Sequence, residues 1–280
     1  MSLKDVSLNR RSFLKGAGLL AAMPALATLA GCGNAQQSAM TLIVGFDQDF
    51  PPYGYVGDNG EFTGFDLELA QKVCEMEGWT YKPEPIAWDS KDALLNSGQI
   101  TCIWNGFTIE TRENDYAFTD AYMENRQVIV VPAKSSVKKL ADLKGKNVVT
   151  QADSAAYNLL SKDGDQAELG STFAKLDTIG EYNTAFMSLN TGEYDAVACD
   201  YPVAVFNIGD SKDYTILEEP LNSEHFGVGF ANTDEGKKLA KQVQADLQKL
   251  DADGTVKTLC EKYADQGVSY TAWVLPKASA

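Results

Sequence analysis

Short β-branched, apolar runs alternate with amphipathic stretches along this chain, and the same order of segments occurs twice. That alternation constrains the fold more than any other feature. The run "TLIVGFD" (41–47) reads as a strand, because such residues suit a pleated, half-buried surface. "FPPYGY" (50–55) cannot continue it and is expected as loop. "DLELAQKVCEMEG" (66–78) spaces Leu67, Ala70, Val73 and Cys74 at helical intervals and stops at Gly78. "KDALLNSG" (91–98) predicts a short helix capped by Asp89 or Ser90, and "ITCIWNG" (100–106) predicts a strand. The second round runs over 146–200. It comprises "KNVVT" as strand, "DSAAYNLLS" as helix with Asp153 as its N-cap, "TAFMSLNTGE" as helix and "YDAVACD" as strand. "RQVIVVP" (126–132) and "FGVGFA" (226–231) add strands, and two amphipathic helices over 234–263 break at Asp253-Gly254. Alternating strands and helices mean an α/β fold with largely parallel sheets. Two rounds predict two lobes of about a hundred residues each. Crossings near 122–127 and 219–226 would make one lobe from 40–123 with 225–280, and the other from 124–224.

Residues 1–31 are expected to be a targeting segment, outside the folded domain. Arg10-Arg11, followed by Phe13-Leu14-Lys15, resembles a twin-arginine export signal. The uncharged stretch 16–31 is too short for a comfortable membrane span. It ends in Leu29-Ala30-Gly31-Cys32, which resembles a bacterial lipobox. Cys32 would then carry a diacylglyceryl group and hold the protein at a membrane surface, with 32–39 as tether. Loss of 1–31 removes four cations and Asp5, which moves the formal charge from −15 to −18. Nucleic acid is excluded as a partner, because phosphate binding needs clustered Lys and Arg. Cys74, Cys102, Cys199 and Cys260 show no metal-ligand spacing with the single histidine, His225. No metal and no cofactor are expected, and disulfides stay open.

The order "GFDQDFPPYGY", "GEFTGFDLELA", "WNGFTIETR", "GEYDAVACDYPVA", "FGVGFA" and "DGTVKTLCEKY" resembles the extracytoplasmic amino-acid-binding proteins of ABC importers, solute-binding protein family 3. The resemblance covers residues 41–265. It implies a two-lobed, type II periplasmic-binding-protein-like clam shell, each lobe a mostly parallel sheet flanked by helices. It also implies a monomer outside the cytoplasm that captures a free amino acid and serves an ABC permease.

Elementary chemistry asks the same of such a site. An amino acid carries a carboxylate and an ammonium, and desolvating both is costly unless each is paired. Arg112 offers a planar fork suited to a carboxylate, and the hydroxyl of Thr108 is close by. The backbone around Ser154 and Ala155, at a helix start, is the second carboxylate grip that the resemblance implies. Asp200 ends a strand, where open α/β sheets face their ligand crevice. The resemblance makes it the ammonium partner, helped by a carbonyl of Asn105 or Gly106. It also makes Phe50 and Trp88 the aromatic pair around the ligand side chain. Asp47, at the end of the first strand, would reach the distal part of a polar or cationic amino acid, or of cystine. The rival expectation is an enzyme on the same fold, of the cyclohexadienyl or prephenate dehydratase kind.

Overall fold

A computed structural model describes residues 40–276. The export segment, the tether and Cys32 lie outside the described residues. Strand β1 (Thr41–Phe46) occupies the first apolar run. The proline-containing segment after it contributes to a small antiparallel meander of β2 (Asp49–Phe50), β3 (Gly54–Val56) and β4 (Phe62–Thr63). Helix α1 (Phe65–Glu77) buries Phe65, Leu69, Ala70 and Val73, and ends on Gly78 at a φ of 66°. Only glycine adopts that left-handed cap at no steric cost.

After β5 (Thr80–Pro85) a 3₁₀ turn leads into α2 (Lys91–Asn96), and then come β6 (Cys102–Ile103), β7 (Tyr116–Phe118) and β8 (Met123–Pro132). The second round supplies β9 (Asn147–Gln151), α3 (Ala155–Leu160), α4 (Ala167–Gly170), β10 (Lys175–Ile179), α5 (Tyr182–Thr191), β11 (Ala196–Asp200) and α6 (Tyr201–Ile208). The chain closes with β12 (Tyr214–Ile216), β13 (Asn222–Phe226), β14 (Gly229–Ala231), α7 (Asp234–Ala252) and α8 (Thr255–Lys262).

Two large sheets result. The first runs β5-β1-β6-β14-β7 and the second β10-β9-β11-β8-β12, with β13 also on β8. Each has a parallel half and an antiparallel half. Strands β5 and β6 lie parallel to β1, and β10 and β11 parallel to β9, while β14 and β8 enter antiparallel. The antiparallel halves are built from the segments that bracket the two passages between sheets. The run 226–231, read as one strand, divides between the sheets: Phe226 ends β13 in the second, and Gly229 opens β14 in the first.

Strands β5, β10 and β12 went unseen in the sequence because they are half-exposed edges with little apolar periodicity. In β5, Pro83 and Pro85 are tolerated because an edge strand need not donate from every residue. One apolar cluster joins β1, α1, α7 and α8 to Val128, Val130 and Val197 of the second sheet. All four cysteines of the described residues are buried free thiols.

Candidate functional site

Most candidate side chains sit at or just beyond the end of a strand or at a helix start, while Thr108 and Arg112 lie in the loop between β6 and β7. Asp47 follows β1 and is 4% exposed. Its Oδ1 accepts from the Asp49 amide at 2.8 Å, and its Oδ2 accepts from the Gln151 side chain at the end of β9. Its own N–H donates to Asn105 Oδ1 at 2.7 Å. The ends of the two parallel triplets therefore meet. Burial pushes the Asp47 carboxyl up to about 6.

Gly106 adopts a φ of 56°, and a Cβ there would come within 2.9 Å of Phe50 and 3.3 Å of Phe226. Glycine is thus required by conformation and by space. The amide of Gly106 donates to Asp66 Oδ2 at 2.6 Å. Asp66 is fully buried in α1 and also accepts from the Tyr122 hydroxyl at 2.7 and 2.8 Å. Burial raises its carboxyl to about 7. Phe50 lies between Tyr53 and Tyr182, with ring centroids 6.2 and 6.0 Å away.

Arg112 is 7% exposed and reached through Thr111, a residue held left-handed at a φ of 68°. Its Nη1 donates to the Thr108 carbonyl and its Nη2 to the Asp153 carbonyl, both at 3.2 Å. Its guanidinium carbon stands 5.0 Å from the centroid of Phe107. The Trp88 indole also donates to the Asp153 carbonyl, at 3.1 Å, and the almost wholly buried Lys91 ion-pairs with the Asp153 carboxylate. Three residues of the 88–112 region thus converge on one residue beyond β9.

This arrangement corrects the expected helix cap. Ser154, not Asp153, is the N-cap of α3, and its Oγ accepts from the Tyr157 amide at 3.1 Å. Asp153 stands outside the helix at a φ of 57° and turns its carboxylate to Lys91. A short side chain with local hydrogen-bonding capacity tolerates that conformation better than most. Ala155 is the first residue of α3.

Asp200 closes β11 and stands at the N-cap of α6, yet its side chain makes no capping bond. Its Oδ1 instead accepts from Asn125 Nδ2 at 2.7 Å and from Gln127 Nε2 at 2.8 Å. Those same two nitrogens donate to Glu224 Oε1, at 2.7 and 2.8 Å. Thr108 Oγ1 donates to that oxygen too, at 2.9 Å. Thr108 therefore touches both ends of the seam: its carbonyl holds Arg112 and its hydroxyl holds Glu224. Arg112 and Asp200 do not touch each other. Burial, and then the nearby Glu224 charge, push Asp200 well above the usual carboxylate range, and burial raises Glu224 as well.

Sequence reasoning missed Glu224, Asn125 and Gln127. A signal was present. In β13, Glu224 and Phe226 are buried while Ser223 and His225 are more open. In β8, Met123, Asn125 and Gln127 are buried while Glu124 and Arg126 are exposed. Polar residues in register with apolar ones on a buried face are the pattern to look for.

A cavity of about 400 Å³ opens beside Asp47 and Trp88, lined also by Asp49, Asp89 and Glu181. Its lining has four carboxylates and no lysine or arginine. Among the described residues no group of three or more His, Cys, Asp or Glu is placed to hold a metal ion.

Comparison with known proteins agrees with the fold. The profile of the bacterial extracellular solute-binding proteins, family 3, matches residues 42–266, and that of the twin-arginine translocation pathway signal sequence matches 7–27. The L-cystine-binding protein TcyJ of Escherichia coli strain K12 is 27% identical over 237 residues, covering 83% of this chain and 86% of that protein. An ABC uptake transporter substrate-binding protein from Streptococcus pneumoniae, solved with bound histidine, superposes with a TM-score of 0.76 at 30% identity, covering 82% of this chain and 94% of that one. A mutant of the T. maritima arginine-binding protein superposes with a TM-score of 0.72 at 30% identity, covering 80% and 95%. With its matched profile, its two mixed sheets flanked by helices and its two-lobed neighbours, the chain belongs to the bacterial extracellular solute-binding proteins, family 3.

Proposed function

We propose that this protein captures a polar or cationic amino acid, or cystine, between two lobes and delivers it to a membrane ABC permease. One observation carries the reading. A buried guanidinium and a buried carboxylate stand at opposite ends of a single polar seam, joined through Thr108. That is the charge pattern a zwitterion needs. Arg112, Thr108 and the backbone at Ser154 and Ala155 take the carboxylate. Asp200 takes the ammonium, with a carbonyl of Asn105 or Gly106. Phe50 and Trp88 flank the side chain, and Asp47 meets its distal end. The acidic lining beside Asp47 favours a side chain that carries positive charge or hydrogen-bond donors.

The lobes are residues 40–123 with 225–280, and residues 124–224. Arg112 belongs to the first and Asp200 to the second, so a ligand satisfies both only when they close. Its preference for the closed form drives closure, and the permease reads the closed form. The protein acts as a monomer and breaks no bond. Calorimetry of the mature protein against the twenty amino acids and cystine should give stoichiometric binding of at least one. Turnover of prephenate would overturn this in favour of a dehydratase.

Cys32 carries the lipid anchor in this reading. The exported protein should sediment with membranes, and Cys32→Ala should move it to the soluble extracytoplasmic fraction. Retention of the Cys32→Ala protein on membranes would refute the anchor.

A further inference from the structure

Asp200 accounts for one ammonium partner, but the seam holds a second buried acid. Asp200 Oδ1 and Glu224 Oε1 accept from the same two side-chain nitrogens, so they are no farther apart than twice a hydrogen-bond length. The register explains why. Gln127 of β8 lies opposite Asp200 of β11 on one side and opposite Asn222 of β13 on the other, and Asn125 lies opposite Glu224. The two acids thus flank one strand, and the two carboxamides bridge them across it.

This tray is rich in acceptors. The N–H groups of Asn125 and Gln127 already point at the acids, and Asn125 Oδ1 and Gln127 Oε1 are buried with no partner. A buried acceptor left without a partner is destabilising. Two ionised carboxylates this close in a buried site repel strongly, and such a pair retains a proton or takes a cation. The titratable and charged groups near the pair are Arg112, Tyr53 and Tyr182, with Cys199 on the opposite face of β11. Only Arg112 is cationic, and the proposed ligand carboxylate occupies its charge.

We propose that Glu224 works with Asp200 as a two-carboxylate receptor for the ligand ammonium, in which the arriving cation takes the place of a shared proton. This rests on the amino-acid reading above. The ammonium brings three N–H donors, which the two carboxylates and the unpartnered amide oxygens can accept. The displaced proton leaves to solvent, so the net charge of the tray is unchanged on binding. Glu224 thereby sets specificity for a free ammonium and makes affinity fall as the medium becomes more acidic.

The test is calorimetry of the wild-type protein at one pH near 6.5 in two buffers of different ionisation enthalpy. The probes are L-arginine, L-histidine, L-glutamine and L-cystine. The difference in heat counts protons. Release of about one proton per bound amino acid is expected. Glu224→Gln, whose folding is checked by its thermal transition, should bind at least about tenfold more weakly and release few protons or none. Wild-type binding with no proton exchange overturns the proposal while leaving the amino-acid reading intact. Unchanged release in Glu224→Gln also overturns it, because the proton would then not depend on Glu224. Binding of none of the twenty amino acids or cystine defeats this proposal and the reading beneath it. A wild-type count of zero overturns the proposal whether or not Glu224→Gln folds.

Discussion

Substituting alanine for Arg112 should weaken amino-acid binding by ~100-fold or more, about 3 kcal/mol. The figure follows from leaving a ligand carboxylate buried without its cation, beside two carbonyls that have lost their donor. The side chain is already positioned. Two of its N–H groups are fixed on the carbonyls of Thr108 and Asp153, and Phe107 supports its plane. Binding therefore orders it little further, and most of the charge-assisted pair appears as affinity. Arg112→Lys should recover only a minor part, because an ammonium cannot make the fork and cannot hold both carbonyls. Calorimetry on both variants at fixed pH checks this. A dissociation constant for Arg112→Ala within about threefold of wild type would remove Arg112 from the site.

The unliganded protein should be more stable at pH 5 than at pH 8. A carboxyl group whose native pKa lies above its unfolded value holds its proton more tightly when folded. Between the two values the native state binds more protons, and stability falls as pH rises. Asp66 rises from 3.8 to about 7 and Asp47 to about 6, both through burial. The loss therefore runs from about pH 4 to 7. Asp200 and Glu224 shift in the same direction. Asp66 alone contributes on the order of 2–4 kcal/mol, at about 1.4 kcal/mol per pKa unit. For a chain of this size that is a fall in melting temperature of about 5–15 °C. Asp177 and Asp253 shift downward, through hydrogen bonds from Lys175 and Thr255 respectively, so their contribution is lost only below about pH 4. Both lie near the surface, where solvent screens them, and do not offset the trend. Melting curves at pH 5, 6, 7 and 8 decide the matter. A melting temperature that stays level or rises over that range would contradict it. Asp66→Asn should flatten the profile.

Much of this was legible in the residues themselves. The strands that lie central in each sheet, β1, β9 and β11, stand out because burial demands continuous apolar character. The helix over 66–78 and the break at Asp253-Gly254 follow from periodicity and glycine chemistry, and both agree with the structure. Arg112 and Asp200 were picked out by the family resemblance, since an Arg after a strand is by itself more often a solvated surface cation. Edge strands were hidden, since exposed residues face no packing constraint. Asp153 was misplaced because Asp and Ser are near-equivalent caps, and only the approach of Lys91 from elsewhere in the chain decides between them. Glu224 was hidden for a similar reason. Its partner Asp200 is distant in sequence, and what joins them is the strand β8 between them.

The pairing of β13 with β8 has a mechanical consequence. Residues 222–226 ladder antiparallel onto 123–127 right where the chain leaves the second sheet for the first. The two passages are therefore not independent strings but leaves of one laminated spring. Such a spring flexes about a line across its width and resists shear within its plane. Any relative motion of the two sheets would have to bend this ladder, like covers on one spine. Because Asn125, Gln127 and Glu224 are built into the spring itself, whatever loads them also sets its curvature.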